Sequence, residues 1–105
     1  MIQLSSPNTV GNEKKYIDEC LESGWISTSG PFIDRFEEAL SEYTNSKYVV
    51  GCINGTSALH ISLRLLDVKA GDEVIVPTIT FISTINSIAY NDASPVFMDC
   101  DDFYN

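Results

Sequence analysis

Three short apolar, β-branched runs set the limits on what this chain can fold into. They are Tyr48-Val49-Val50-Gly51-Cys52-Ile53, Glu73-Val74-Ile75-Val76-Pro77 and Pro95-Val96-Phe97-Met98-Asp99. Apolar runs of this length, bounded by turn residues, read as strands buried on both faces, as in parallel sheets. Helical patterns separate them. Ala58 to about Val68 has helical character and is closed by Gly71. Phe81 to about Tyr90 is a further helical candidate, although its β-branched content weakens the propensity. Two amphipathic helices come first. One covers about residues 10–23, with Val10, Ile17, Cys20 and Leu21 on one face and Gly24 as its stop. The other starts at Pro31 and runs to about Tyr43, with Phe32, Ile33, Phe36, Leu40 and Tyr43 inward and Asn45 closing it in a left-handed conformation. The order α-α-β-α-β-α-β predicts an α/β fold: a parallel βαβαβ sheet with right-handed crossovers, preceded by two helices.

A parallel sheet needs helices on both faces, and three strands with these helices make a thin version of one. The last residues, Asp101-Asp102-Phe103-Tyr104-Asn105, follow a strand with no closing helix. The expectation is a piece of a longer polypeptide, or a fold completed by contacts from outside it. Residues 1–105 are read as one domain-sized stretch.

Charge narrows the partners. Fifteen acidic residues against six basic give a net charge of −9. A phosphate-backbone binder needs clustered Lys and Arg, and an anionic lipid surface repels such a chain. Neither a nucleic acid nor a membrane is therefore an expected partner. Met1 to Asn8 carries no basic leader or apolar run of signal-peptide type. No stretch approaches the roughly 18 apolar residues of a membrane span. Cys20, Cys52 and Cys100 are odd in number and widely spaced, which reads as reduced thiols in the cytoplasm and not as a disulfide framework or a zinc site.

The most informative segment is Ile53-Asn54-Gly55-Thr56-Ser57-Ala58-Leu59-His60, where a strand turns into a helix. A helix N-terminus offers unpaired N–H groups and a partial positive charge. Gly55 lets a ligand approach the backbone, and Thr56 and Ser57 add hydroxyls, so the turn has the makings of a phosphate seat. The plainer reading is that Asn54 or Thr56 only caps the helix. The turn is neither a nucleoside-triphosphate loop nor a dinucleotide fingerprint, because the required glycine and lysine positions are absent. A second segment, Pro77 to Thr84, lies at the carboxyl end of a strand, where open α/β sheets bind ligands. Phe81 there has the flat face to stack on a cofactor ring, or simply joins the core. A third, Trp25-Ile26-Ser27-Thr28-Ser29-Gly30, joins an aromatic to three hydroxyls, suited to a sugar or nucleotide or to packing on the flanking helices. Asp99, Asp101 and Asp102 resemble the opening of a calcium loop, but no Gly or terminal Glu follows, so no metal site is expected. His60 has no cysteine or second histidine near it and reads as a packed structural residue.

In combination these segments resemble the DegT-type, pyridoxal-phosphate-dependent sugar aminotransferases. The strings that carry the resemblance are Gly24-Trp25-Ile26-Ser27-Thr28-Ser29-Gly30-Pro31, Asn54-Gly55-Thr56-Ser57-Ala58-Leu59-His60, Gly71-Asp72-Glu73-Val74-Ile75-Val76-Pro77, Thr80-Phe81-Ile82-Ser83-Thr84 and Ala93-Ser94-Pro95-Val96-Phe97-Met98-Asp99. Each is weak alone, and their order and spacing across nearly the whole chain make them specific. The resemblance implies the N-terminal part of a fold-type I aminotransferase large domain. It implies that Gly55, Thr56 and Ser57 hold the phosphate of pyridoxal 5′-phosphate and that Phe81 stacks on its ring. It places Trp25, Ile26, Ser27 and Thr28 near the mouth where substrate enters. The substrates implied are a keto sugar on a UDP or GDP carrier and an L-amino acid donor, expected to be glutamate, in surface-polysaccharide synthesis. The full-length form is expected to be a homodimer.

The resemblance also implies an absence. The family's Schiff-base lysine, and the acid that pairs with the pyridine nitrogen, lie beyond residue 105. Lys14, Lys15, Lys47 and Lys69 match neither position. No catalytic residue is therefore assigned, and this chain alone is expected to lack transaminase activity. The competing reading is a small non-catalytic α/β module that keeps the phosphate seat as a binding or interaction surface. A nicotinamide enzyme ranks far behind, lacking its glycine fingerprint.

Overall fold

A computed structural model describes residues 5–99. The elements are α1 (Glu13–Ser23), α2 (Pro31–Thr44), α3 (Gly55–Leu65), β1 (Glu73–Pro77), α4 (Ile82–Ala89) and β2 (Ser94–Met98). They divide into two compact units, residues 1–51 and 52–105.

The first unit is a helical pair. Gly24, with φ 74°, ends α1, and Pro31 opens α2 as expected. Between the helices, the Arg35 guanidinium stands over two rings, 4.8 Å from the Phe32 centroid and 5.3 Å from that of Tyr16. The same two rings meet edge-on at 5.7 Å. Glu19 completes the arrangement, 3.6 Å from Arg35. A cation held over aromatic faces is worth about 0.5–1 kcal/mol at an exposed site. Of the positions expected to face inward, Val10, which precedes α1, and Ile17, Leu21, Phe36, Leu40 and Tyr43 are exposed, while Cys20, Phe32 and Ile33 are half-buried.

The second unit holds the sheet. β1 and β2 pair in parallel, with Glu73 opposite Ser94 and Pro77 opposite Met98. The ladder is prolonged at both ends: Ser94 N–H donates to Asp72 C=O, and Thr78 N–H to Met98 C=O, both at 2.9 Å. Helix α4 makes the crossover. The core is Val76, Ile88 and Ala93, backed by Leu63, Val68, Val74 and Ile85. It therefore draws on β1, on α3 and α4, and on the turns that end both helices.

The segment Tyr48–Ile53, expected as a strand, is not one of the paired strands among the described residues. Among the described residues the sheet has two strands, and Tyr48, Val50 and Ile53 are exposed. This segment spans the boundary between the two units. Its Gly51 N–H donates to the Glu37 carboxylate at 2.6 Å, a side-chain partner and not a ladder carbonyl. Helix boundaries also shift: α1 begins three residues later than expected, and α3 begins at Gly55 because Asn54 caps it. The expected features at Met1–Leu4, at Cys100 and at Asp101 to Asn105 lie outside the described residues.

Candidate functional site

The turn at Asn54–Ser57 folds as a capped helix start. Asn54 is extended, with φ −162° and ψ 169°, and its Oδ1 accepts the Ser57 N–H at 2.8 Å. This is the N-cap arrangement that Asn favours. It uses one of the first-turn donors and leaves the Gly55 and Thr56 N–H groups without intrahelical partners, since neither has a carbonyl four residues back within the helix. A Cβ built on Gly55 would meet nothing within 4 Å, so the approach to this backbone is open. Capping and anion binding are compatible here, because they use different amides.

Phe81 is the N-cap residue of α4, directly after the β1 turn, and the residue is 84% exposed. With Ile79 and Thr80 it lines a shallow recess of about 340 Å³. A phenylalanine so exposed at a strand–helix junction is not part of the core, which sets aside the simpler reading of this residue. Below it a run of side-chain hydrogen bonds follows α4. Thr80 and Thr84 hydroxyls lie 3.0 Å apart, Ser87 Oγ donates to Thr84 C=O at 2.8 Å, and Asn91 Nδ2 donates to Ser87 C=O at 2.8 Å.

Trp25, Ile26 and Ser27 line a recess of about 270 Å³ with Cys20, Ser29 and Phe32; Thr28 is not among its lining residues. The loop is shaped by Gly30, whose φ of 142° suits glycine and where a Cβ would stand 3.2 Å from Trp25 Cε3. Gly55, Thr56, Ser57 and Phe81 thus share one compact unit, opening two helices, α3 and α4, that pack together. Trp25 to Thr28 belong to the other unit.

None of the four lysines stands free. Lys14 pairs with Asp18 and Lys15 with Glu19 along α1. Lys47 lies 5.0 Å from the Tyr48 ring centroid, and Lys69 bonds Asp67. His60 is half-buried, its ring set edge-on to Tyr90 at 5.6 Å. Among the described residues no group of three or more His, Cys, Asp or Glu side chains is arranged to hold a metal ion.

Residues 7–105 match the DegT/DnrJ/EryC1/StrS aminotransferase family. The chain belongs to that family. Similar DegT-family proteins include the GDP-perosamine synthase of Escherichia coli O157:H7, 45% identical over 100 residues, which cover 95% of this chain and 28% of the relative. The solved Spr1654 protein of Streptococcus pneumoniae, known in PLP, PMP and apo forms, shares 38% identity with a TM-score of 0.84 over 95% of this chain and 25% of its own. An aminotransferase from Psychrobacter cryohalolentis shares 38% identity with a TM-score of 0.82, over 90% of this chain and 24% of its own. The chain spans about a quarter of the length of the curated relatives it matches. The mixed α/β architecture expected from the sequence is that of these DegT-family structures.

Sequence reasoning missed Asn91. It is 4% exposed and holds carbonyls on two helices, Ser87 on α4 and His60 on α3, the latter at 3.4 Å. The only signal was a polar Asn-Asp pair at the end of a helical pattern, which reads equally well as an exposed stop.

Proposed function

We propose that this chain is the first part of the large domain of a pyridoxal-phosphate-dependent nucleotide-sugar aminotransferase, and that it carries the phosphate-gripping portion of the cofactor site. The observation that carries this reading is the open N-terminus of α3, where the Gly55 and Thr56 amides lack intrahelical partners at the positive end of a helix dipole, beside two hydroxyl residues, Thr56 and Ser57. These residues fit a phosphomonoester: the donors suit a dianion, and no side chain at position 55 blocks it. Phe81 offers an exposed flat face of the size a pyridine ring needs. Bound pyridoxal phosphate supplies the electron sink through which an amino group is carried. This chain's residues hold the phosphoryl group, orient the ring, and, at Trp25, Ile26, Ser27 and Thr28, meet the substrate at the mouth.

In the whole enzyme the amino donor is an L-amino acid, expected to be glutamate. The acceptor is a keto sugar on a nucleoside diphosphate, in line with the GDP-linked product named for the relatives. We place the enzyme in the cytoplasm, in surface-polysaccharide synthesis, as a homodimer. None of Lys14, Lys15, Lys47 and Lys69 matches the position of the family's Schiff-base lysine, so none is assigned to anchor the cofactor covalently.

The test is to add pyridoxal phosphate to the 105-residue chain, follow the Gly55 and Thr56 amide resonances, then reduce with borohydride and map any labelled lysine. The expected result is reversible binding that shifts those amides, no labelled lysine and no amination of a keto nucleotide sugar. A labelled lysine in this chain, or binding that leaves the two amides unmoved, overturns the reading.

A further inference from the structure

Resting on that cofactor reading, we propose that Asn91 is a positioning residue: its buried amide ties the C-terminal end of α4 to α3 and so holds the Phe81 face in register with the turn at Gly55–Ser57. The geometry is specific. Nδ2 donates to Ser87 C=O at 2.8 Å and to His60 C=O at 3.4 Å, so one NH₂ group spans two helices. Ser87 and Asn91 are 1% and 4% exposed, which puts these bonds in a weakly screened setting. His60 lies five residues into α3 from Gly55, roughly one and a half helical turns. Phe81 sits at the opposite end of α4 from Asn91. Each helix moves as a rod, so fixing α4 on α3 at His60 fixes where the head of α4, and its aromatic, stands relative to the head of α3. The His60–Tyr90 edge contact reinforces the same seam.

The arrangement is held at a cost. Asn91 Oδ1 and His60 Nε2 are both buried with no hydrogen-bond partner among the described residues. A buried unsatisfied polar atom is unfavourable, so an apolar side chain of similar size would serve general packing better. What asparagine adds over such a residue is the donor that bridges the two carbonyls.

A residue that sets the spacing of two helix heads affects a ligand that touches both and spares one that touches only one. Inorganic phosphate reaches the α3 turn alone, whereas pyridoxal phosphate reaches that turn and Phe81. Binding of each is measured by amide shifts at Gly55 and Thr56, with circular dichroism as the check on folding. Asn91→Ala is expected to weaken pyridoxal phosphate about tenfold while changing inorganic phosphate by less than about twofold, the scale of losing one or two hydrogen bonds on one arm only. If that variant fails to fold, Asn91→Ser, which keeps a hydroxyl at the position but is too short to span both carbonyls, is expected to show the same split. Equal weakening of both ligands marks a merely structural role and overturns the proposal, as does no change in either. Failure of the unaltered chain to bind pyridoxal phosphate defeats the cofactor reading and this inference together, whereas normal binding by both the unaltered chain and the variant defeats this inference alone.

Discussion

Asn45, Asp67 and Asp92 share one backbone conformation, with φ of 54°, 60° and 57°. Each closes a helix in the same way. The Asn45 N–H donates to Glu42 and that of Ser46 to Ser41; Asp67 to Arg64 and Val68 to Leu63; Asp92 to Ala89 and Ala93 to Ile88. This is the paired-bond C-terminal closure in which a left-handed residue is usually glycine. Asn and Asp tolerate that region better than other L-residues, yet still less well than glycine. Substituting Asp92→Gly is therefore expected to stabilise the chain by about 0.5 kcal/mol, after the extra freedom glycine gains in the unfolded state. A rise in Tm of roughly 2–4 °C in a thermal melt checks it; a fall means that the Asp92 side chain contributes more than the backbone relief. In two of the three closures the bonds also deliver apolar residues to the core: Leu63 and Val68, then Ile88 and Ala93.

At the scale of elements, the turn from α3 to β1 is held by charges. Lys69 Nζ meets Asp67 Oδ2 at 2.6 Å, and the Lys69 N–H donates to Asp72 Oδ2 at 2.9 Å. The hydrogen bond from Lys69, and then its charge, hold the Asp67 carboxyl below its ordinary value of 3.8. The bond to Asp67 and that carboxylate's charge raise the Lys69 ammonium above 10.5. The Asp67 contribution is thus present above pH 3.8 and is lost as pH falls through the lowered value; the Lys69 contribution is present below 10.5 and is lost as pH rises through the raised one. Both groups are exposed, so the effect on global stability is small. It is expected to show locally, as lower amide protection relative to the intrinsic exchange rate at Val68 to Asp72 once acid protonates Asp67, with Lys69→Met flattening that dependence. Unchanged exchange in the variant would mean that the backbone bonds alone hold the turn. The same element carries the candidate site, since α3 presents the Gly55 turn at its other end.

At the scale of the whole molecule, burial is concentrated in few places. Among the described residues the buried hydrophobic side chains are Val76, Ile88 and Ala93, while Tyr43, Ile53, Leu65 and Phe81 are each more than four-fifths exposed. A core of this size leaves little reserve. Ile88→Ala, which removes most of one of those three side chains, is expected to cost about 2–5 kcal/mol and to leave no cooperative thermal transition. A variant that melts sharply within a few degrees of the unaltered chain would show that stability resides elsewhere. The open apolar surface is also expected to bind a hydrophobic dye and to drive association in sedimentation runs. A monodisperse monomer that ignores the dye would count against the reading of this chain as part of a larger domain.

What the sequence determined by itself was local chemistry. Gly24, Pro31 and Asn45 marked helix ends because their backbone preferences act within a few residues. The runs at Glu73–Pro77 and Pro95–Asp99 announced strands, found at Glu73–Pro77 and Ser94–Met98, and the Asn54-Gly55-Thr56-Ser57 string announced the cap that Asn54 makes. Tyr48–Ile53 has the same local content as the other strands, yet among the described residues it is not one of the two paired strands, and its Gly51 N–H bonds the Glu37 side chain. Asn91 looked like one more polar helix stop, and its role came from two carbonyls, one of them thirty-one residues away in the chain. Only tertiary structure decides such matters, because pairing and burial depend on which distant groups arrive at the same place, and no short stretch of sequence records that.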